Sequence, residues 1–231
     1  MPPAVTDLEF VPARDPELEA RIWTALNPDE PLDPATARVW WEYEDREGSF
    51  QRFSIRTSGA SGEEVGFAVS GHLAWADGDE RYARLHADFL PQHRSHFALS
   101  AGYEFVERLA TESGADHLLA QARESDDFLI LQLRRRGYTG KRIFRWWELD
   151  LAEQRPRLLK LAAQSMKRMA EQEVELLTLA QAGPSDEVIK ELADLHWEAA
   201  QDVPRDEPHF RQSDESFRAW LAAPGVRDDR R

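Results

Sequence analysis

The sequence contains no cysteine, which excludes disulfide scaffolds, zinc sites built on thiolates and cysteine nucleophiles. It also lacks an apolar run of about 18 residues, the length at which a membrane-spanning helix is considered. Residues Met1 to Leu8 show no basic stretch followed by an apolar one, the pattern of a secretory signal. We therefore expect a soluble, cytoplasmic protein with no membrane partner.

Positive charge is scarce as well. Lys and Arg together number 29 against 43 Asp and Glu, for a formal net charge of −14. Nucleic acid backbones and anionic lipids favour clustered cations, so neither is an expected partner. Apolar residues, in contrast, are plentiful at 42%, with 8 Trp and 11 Phe. A chain of 231 residues with this composition has the material for one large domain, or for one domain and part of another.

The first 152 residues predict one complete α/β unit with a mixed sheet flanked by helices. Caps of the form Asp-Pro open two helices, and short turn-rich separators between three alternating segments predict an antiparallel meander. A helix between the fourth and fifth strands makes that pair parallel. The predicted order is a strand at 8–11, helices from Asp15 and Asp33, strands at 53–57, 65–75 and 83–89, a helix after Pro91, a strand at 117–122, a helix at 126–136 and a strand at 142–151.

The remaining residues begin the same plan again. Residues 153–172 predict a connecting helix, and residues 173–231 predict a partial second unit with one strand and two helices. The strand is expected at 174–179, helices are expected from Ser185 and Ser213, and an acidic, proline-bearing loop is expected at 202–208. This repetition indicates a domain duplication.

One predicted strand ends in Phe89-Leu90-Pro91 and is followed by Arg94 before a helix, and Arg136-Gly137-Tyr138 precedes a last strand. With this order of elements, residues 6–152 resemble the GNAT family of N-acetyltransferases. Residues 174–221 look like the start of the second domain of a tandem GNAT protein with a truncated second domain. The resemblance implies acetyl transfer from acetyl-CoA to an amine of a small molecule or peptide.

In this family the backbone N–H groups of a glycine-rich loop and of the following helix bind the acetyl-CoA pyrophosphate. The resemblance places that loop at Arg94 to Leu99, where Ser95, Phe97 and Leu99 stand at the glycine positions. Side chains at those positions weaken the expected cradle, although the amides remain. The cofactor-binding residues implied are Phe89, Leu90, Arg94, Ser95, His96, Phe97, Ala98 and Leu99.

Acetyl transfer needs a base for the amine proton and an acid for the thiolate. His86 and Asp88 on the fourth strand are the candidate bases, and His72 on the third strand is an alternative. All three alternate with Leu73, Leu85 and Phe89, so they also fit a solvated face. Leu133 stands where many family members place the acid, a tyrosine; Tyr138 is the candidate substitute and Tyr103 its alternative.

Other functions stay open at this stage. The missing glycines and Leu133 also fit a catalytically degenerate GNAT scaffold that senses CoA or binds a partner. A further alternative is an active site in a longer second domain. No third metal ligand accompanies His93 and His96, so no metal cofactor is expected. The apolar residues of 173–222 would be exposed in an isolated partial unit, which predicts a homodimer formed through this segment.

Overall fold

The computed structural model describes residues 7–58, 62–73, 80–140, 142, 143, 145, 147, 149–203 and 211–221. These residues form two compact units, Met1–Tyr138 with Trp197–Arg231, and Thr139–His196. The first unit carries a five-stranded mixed sheet with helices on both faces, which is the predicted α/β class. The predicted boundaries at 152 and 172 do not coincide with these units, and the division into one complete and one partial GNAT-like domain stays a prediction.

The sheet has the strand order β1-β2-β3-β4-β5. The first four strands pair antiparallel and β5 runs parallel to β4, as the sequence predicted. The strands are β1 (Leu8–Pro12), β2 (Gly48–Thr57), β3 (Glu64–Leu73), β4 (Tyr82–Phe89) and β5 (His117–Ala120). Trp75, which the sequence assigned to the third strand, lies outside the described residues.

Eight α-helices and one short 3-10 helix (Pro91–His93) occur in the described residues. Several of them begin at a side-chain cap, where an oxygen accepts a backbone N–H that the first turn leaves unpaired. Asp33 accepts from Thr36, Ser95 from Ala98, and Asp126 from Leu129. The helices are α1 (Glu17–Leu26), α2 (Pro34–Glu47), α3 (His96–Glu112), α4 (Asp127–Arg135), α5 (Leu151–Glu171), α6 (Leu179–Ala182), α7 (Asp186–Gln201) and α8 (Asp214–Leu221).

Each face of the sheet has its own core. Helix α3 covers one face, where Leu85 and Phe89 pack with Leu99, Tyr103 and Val106. Helix α1 covers the opposite face through the apolar stripe that includes Leu18 and Ile22, which contact Phe67 and Val69. Because side chains alternate along a strand, His86 and Asp88 of β4 lie on the α1 face.

Two predicted strands are wrong. The described residues between 142 and 150 form no strand, and Leu151 begins α5 under the cap of Asp150. Residues 174–178 also form no strand, and Thr178 caps α6 instead. In both segments apolar side chains such as Trp147 and Leu176 are exposed. An apolar segment becomes a strand only where a neighbouring strand supplies hydrogen bonds, and no described strand pairs with either segment.

The helices predicted from Ser185 and Ser213 are confirmed. Ser185 accepts the N–H of Val188 at the start of α7, and Ser213 accepts that of Ser216 at the start of α8. Of the predicted acidic loop at 202–208, residues 204–208 lie outside the described residues.

Candidate functional site

The candidate site lies where β4 and β5 separate. Strand β5 pairs only with residues 82–85 of β4, whereas β4 continues to Phe89 along β3. In the part of the chain that the structure describes, the edge of β4 from His86 to Phe89 therefore has no strand beside it. Two of the predicted catalytic residues, His86 and Asp88, lie on this free segment.

Asp88 carries an unusual carboxyl group. It is partly buried, and no hydrogen-bond partner for its carboxylate is found among the described residues. Burial raises the pKa of Asp88, and the charges of His86 and Arg94 offset part of that rise. An unpaired acid whose pKa is shifted toward neutrality is a typical general base.

Tyr103 approaches the same carboxyl group from α3. Its ring is buried in the core, and its hydroxyl has no hydrogen-bond partner among the described residues. Burial raises the pKa of Tyr103, and the negative charge of Asp88 raises it further. The hydroxyl therefore stays protonated and is available as a proton donor.

Tyr138, the third predicted catalytic residue, is engaged elsewhere. Its hydroxyl donates to Glu107 at 3.1 Å, and Glu107 also accepts from Nε and Nη2 of Arg136. Burial and the charge of Glu107 raise the pKa of Tyr138. Its ring meets Tyr103 edge-on with centroids 6.3 Å apart. Asp88 thus interacts electrostatically with both His86 and Tyr103, while the Tyr138 hydroxyl is bound to Glu107.

The alternative base His72, and Leu133 at the position of the family's acid, are engaged in other contacts. Leu133 is buried on α4, and its carbonyl accepts the N–H of Tyr138. The Nδ1 atom of His72 lies 2.8 Å from the carbonyl oxygen of Leu73.

The predicted cofactor loop divides into buried and accessible parts. Phe89, Ala98 and Leu99 have buried side chains, and Leu90 is partly buried and precedes the 3-10 helix. The amide of Ala98 donates to the Ser95 hydroxyl at 3.1 Å, and that of Leu99 donates to the Ser95 carbonyl at 3.0 Å.

The three residues before Ala98 supply the free backbone amides of this loop. Within the described residues the amides of Ser95, His96 and Phe97 have no hydrogen-bond acceptor. They stand at the start of a helix of 17 residues, where the dipole favours an anion. Phe97 is 56% exposed, so its side chain projects beside these amides toward solvent.

Arg94 is not free to bind an anion. Its guanidinium forms two hydrogen bonds to Asp126, at 3.1 and 2.5 Å, and lies over the ring of Phe128 at 5.6 Å. Its Nε atom is buried without a partner among the described residues. Next to it, the Gln132 amide donates to the His96 carbonyl at 3.0 Å. These contacts join the α3 loop to the first turns of α4.

Glu19 is a residue of this site that sequence reasoning missed. One carboxylate oxygen accepts the indole N–H of Trp41 at 2.5 Å, and the other lies 4.0 Å from Nε2 of His86. Burial raises the pKa of Glu19, and the charge of His86 and the Trp41 hydrogen bond lower it in part. The available signal was its position beside the apolar stripe of α1, three residues before Ile22.

No family model matches the sequence, and no curated protein matches it. Several solved structures do. An acetyltransferase from Trypanosoma brucei has 14% identity and a TM-score of 0.48, and the match covers 62% of this chain and 100% of that one. An aminoglycoside acetyltransferase from an uncultured soil metagenomic sample, in complex with sisomicin, has 13% identity and a TM-score of 0.49, with coverage of 62% and 97%.

A third match is the aminoglycoside N-acetyltransferase AAC(6')-Iy in complex with CoA, at 15% identity and a TM-score of 0.46, covering 62% of this chain and 95% of that one. All three proteins are acetyltransferases, as are the members of the family that the sequence resembles. What this chain binds or catalyses has to be argued from its own residues. In addition, none of its described helices is both long and apolar enough to cross a membrane.

Proposed function

We propose that this protein is an acetyl-CoA-dependent N-acetyltransferase that acts on an amine of a small molecule or peptide. The observation that carries the proposal is the unpaired carboxylate of Asp88, whose pKa is raised, on the free segment of β4. The charge of Arg94 acts on Asp88, and Arg94 leads directly into the free amides at the start of α3. The candidate base Asp88 and the N-terminus of α3, which would bind the pyrophosphate, therefore lie in the same region of the molecule.

The residues present fit acetyl-CoA in part. The amides of Ser95, His96 and Phe97 would bind the pyrophosphate, whereas Arg94 would have to leave Asp126 to take part. When bound, acetyl-CoA supplies a thioester whose carbonyl carbon forms a bond to the amine nitrogen as the carbon–sulfur bond breaks. The described residues contain no cluster of metal-ligating side chains, and the proposal uses no metal.

Two protons have to move in this reaction. Asp88 accepts the proton of the acceptor ammonium, which makes the nitrogen lone pair available for attack. The Tyr103 hydroxyl, which stays protonated beside Asp88, donates a proton to the departing thiolate. His86 is the alternative base and Tyr138 the alternative acid, although the hydroxyl of Tyr138 first has to leave Glu107.

Isothermal titration with acetyl-CoA and CoA, joined to a thiol-release assay over a panel of primary amines, tests the proposal. We expect binding of both nucleotides and amine-dependent thiol release that Asp88→Asn slows by about 100-fold or more. Glu9→Gln removes an exposed acid from β1 and is the matched control. If neither acetyl-CoA nor CoA binds at millimolar nucleotide concentration, the proposed acetyltransferase activity is rejected.

A second candidate function is a CoA-sensing or interaction module on the same scaffold. It is favoured by the engagement of Arg94 with Asp126 and by the buried Leu133 at the position of the family's acid. This candidate predicts that CoA and acetyl-CoA bind equally well and that no amine releases thiol. The titration and the assay together therefore separate the two functions.

We also propose that the protein is a homodimer that uses residues 173–222 at its contact. Apolar side chains of this segment that are half or more exposed are Val174, Leu176, Leu177, Leu195 and Val203. A second copy of the chain would remove them from water.

A further inference from the structure

The side chain of Glu19 lies between two helices and the sheet. It is 17% exposed and is directed from α1 toward β4. Its Oε2 atom accepts the indole N–H of Trp41, and its Oε1 atom lies 4.0 Å from Nε2 of His86. One oxygen is therefore held by α2, and the other is directed at the imidazole.

Trp41 is itself held by two contacts to its ring. It stacks on Phe67 with centroids 5.9 Å apart and planes at 18°, and the guanidinium of Arg52 lies 4.6 Å from its centroid. Arg52 in turn donates to Glu44 at 2.7 Å and to Asp45 at 2.6 Å. An indole held in this way sets the direction of its N–H, and so it sets the position of the Glu19 carboxylate.

Burying a carboxylate is costly, and a neutral amide oxygen would accept the indole N–H of Trp41 equally well. The hydrogen bond to Trp41 alone therefore does not account for an acid at Glu19. His86 is the neighbour that accounts for an acid here, because a charge on the imidazole is the largest influence that lowers the pKa of Glu19. His86 is also the largest favourable influence on Asp88. The imidazole therefore stands between two acids, Glu19 from α1 and Asp88 from its own strand.

Building on the proposed function, we propose that Glu19 is a positioning residue that acts on Asp88 through His86. Its carboxylate holds the His86 imidazole beside Asp88, where a charge on the ring favours the ionised form of Asp88 that accepts the proton of the amine. Glu19, His86 and Asp88 then form a row of three titratable side chains that crosses from α1 to the free end of β4.

The other charges near this row are accounted for. Arg94 from the α3 loop favours the ionised form of Asp88, and Asp126 from the start of α4 opposes it. Glu44 from α2 opposes the ionised form of Glu19, and Arg52 from β2 favours it. From α3, the hydroxyl of Tyr103 is influenced by the charge of Asp88.

The test measures Asp88 directly. In protein labelled with 13C at aspartate carboxyl groups, the Asp88 resonance is assigned by its loss in Asp88→Asn and followed with pH. We expect Glu19→Gln, which keeps an acceptor for Trp41, to move the Asp88 midpoint to higher pH by about half a unit or more, since an opposite charge within about 4–6 Å moves a pKa by about one unit or more. The acid limb of kcat/KM moves by the same amount.

Two comparisons separate this role from a structural one. Glu17→Gln removes an exposed acid from the same helix and leaves the midpoint unchanged. His86→Gln moves the midpoint at least as far as Glu19→Gln, and the double variant moves it no further than His86→Gln alone. An unchanged midpoint in Glu19→Gln, or additive shifts in the double variant, overturns the proposal.

The carboxyl titration needs no turnover. A shifted midpoint in a protein that acetylates no amine supports the role of Glu19 and rejects the acetyltransferase. An active protein whose midpoint does not respond to Glu19→Gln rejects the role of Glu19 alone. If Glu19→Gln does not fold, His86→Gln still tests the link between His86 and Asp88, and an unmoved midpoint in that variant overturns the proposal.

Discussion

The guanidinium of Arg94 and the carboxylate of Asp126 form a two-point ion pair between the α3 loop and the first turn of α4. Burial opposes the charge of Asp126, but the hydrogen bonds from Arg94 and the Leu129 N–H lower its pKa below the usual range. A lowered carboxyl pKa stabilises the folded state above the pKa of the unfolded chain, and the stabilisation is lost as the pH falls through the folded value.

Asp126→Asn keeps the cap of α4 and removes the charge. We expect it to lower the free energy of unfolding by about 1 to 2 kcal/mol at pH 7, because charge-assisted hydrogen bonds are lost in a partly exposed site. Urea unfolding at pH 7 and at about pH 3 measures the effect, which should shrink at the lower pH. Asp127→Asn, at an adjacent exposed position, is the control. An equal loss at both values would mean that the ion pair is not its source.

Asp88 presents the opposite case. Its pKa is raised, so the folded state holds this proton more tightly than the unfolded chain does. Stability therefore falls as the pH rises from the usual carboxyl range through the raised pKa. We expect Asp88→Asn to unfold at equal or higher urea concentration than the parent at pH 7, because it removes an unpaired buried charge. A loss of stability would indicate that the carboxylate has a partner.

Asp88→Asn should also lose acetyltransferase activity. Without the base, kcat/KM is expected to fall by about 100-fold to 10,000-fold. In the parent protein, activity should decline as the pH falls through the raised pKa of Asp88, because only the ionised form accepts a proton. The measurement is kcat/KM against pH, and an acid limb in the ordinary aspartate range would exclude Asp88 as the base.

Gly102 sets the distance between α3 and β4. A Cβ atom at this position would lie 2.8 Å from the Cβ of Ala87 and 3.2 Å from the ring of Phe89. We expect Gly102→Ala to destabilise the fold by about 1 to 3 kcal/mol through overpacking. Gly140→Ala, where no atom lies within 4 Å, should change stability by less than about 0.5 kcal/mol. Equal thermal midpoints for the two variants would contradict this packing.

Phe97 bears directly on CoA binding. Its exposed ring stands beside the free amides of the α3 start, at a position where the family that the sequence resembles has glycine. We expect Phe97→Ala to tighten CoA binding severalfold, about 1 kcal/mol, because an anion can approach the amides more closely. Calorimetric titration measures this, with Leu131→Ala on α4 as an exposed apolar control. Weaker binding would show that the ring itself contacts the nucleotide.

The proposed dimer can be tested on α7. Leu195 is 61% exposed, and Leu195→Glu places a charge where the contact requires an apolar surface. Sedimentation equilibrium should show a dimer for the parent and a monomer, or a dimer that dissociates at higher concentration, for the variant. Lys190→Glu changes the charge of an exposed residue on the same helix and should remain dimeric. A monomeric parent rejects the dimer.

The first strands and helices could be predicted from the sequence because their signals are local. Asp33, Ser95 and Asp126 cap helices with atoms only three residues from the amide they satisfy. The short, turn-rich separators predicted that β2, β3 and β4 are antiparallel neighbours. The helix between β4 and β5 predicted that these two strands are parallel. Asp88 could also be predicted as a candidate base, since it is a polar residue that alternates with Leu85 and Phe89 along the strand.

Other features depended on partners distant in the chain. Residues 142–151 and 174–179 are rich in apolar side chains, yet the described residues of these segments form no strand, because hydrogen bonding to a neighbour is not a property of the segment itself. Glu19 meets His86, and Arg94 meets Asp126, only after the helices pack on the sheet. The sequence alone therefore determined the order of elements from β1 to α4 and the chemistry available on β4. The tertiary structure decided which charges are paired, because pairing and burial arise when distant segments meet.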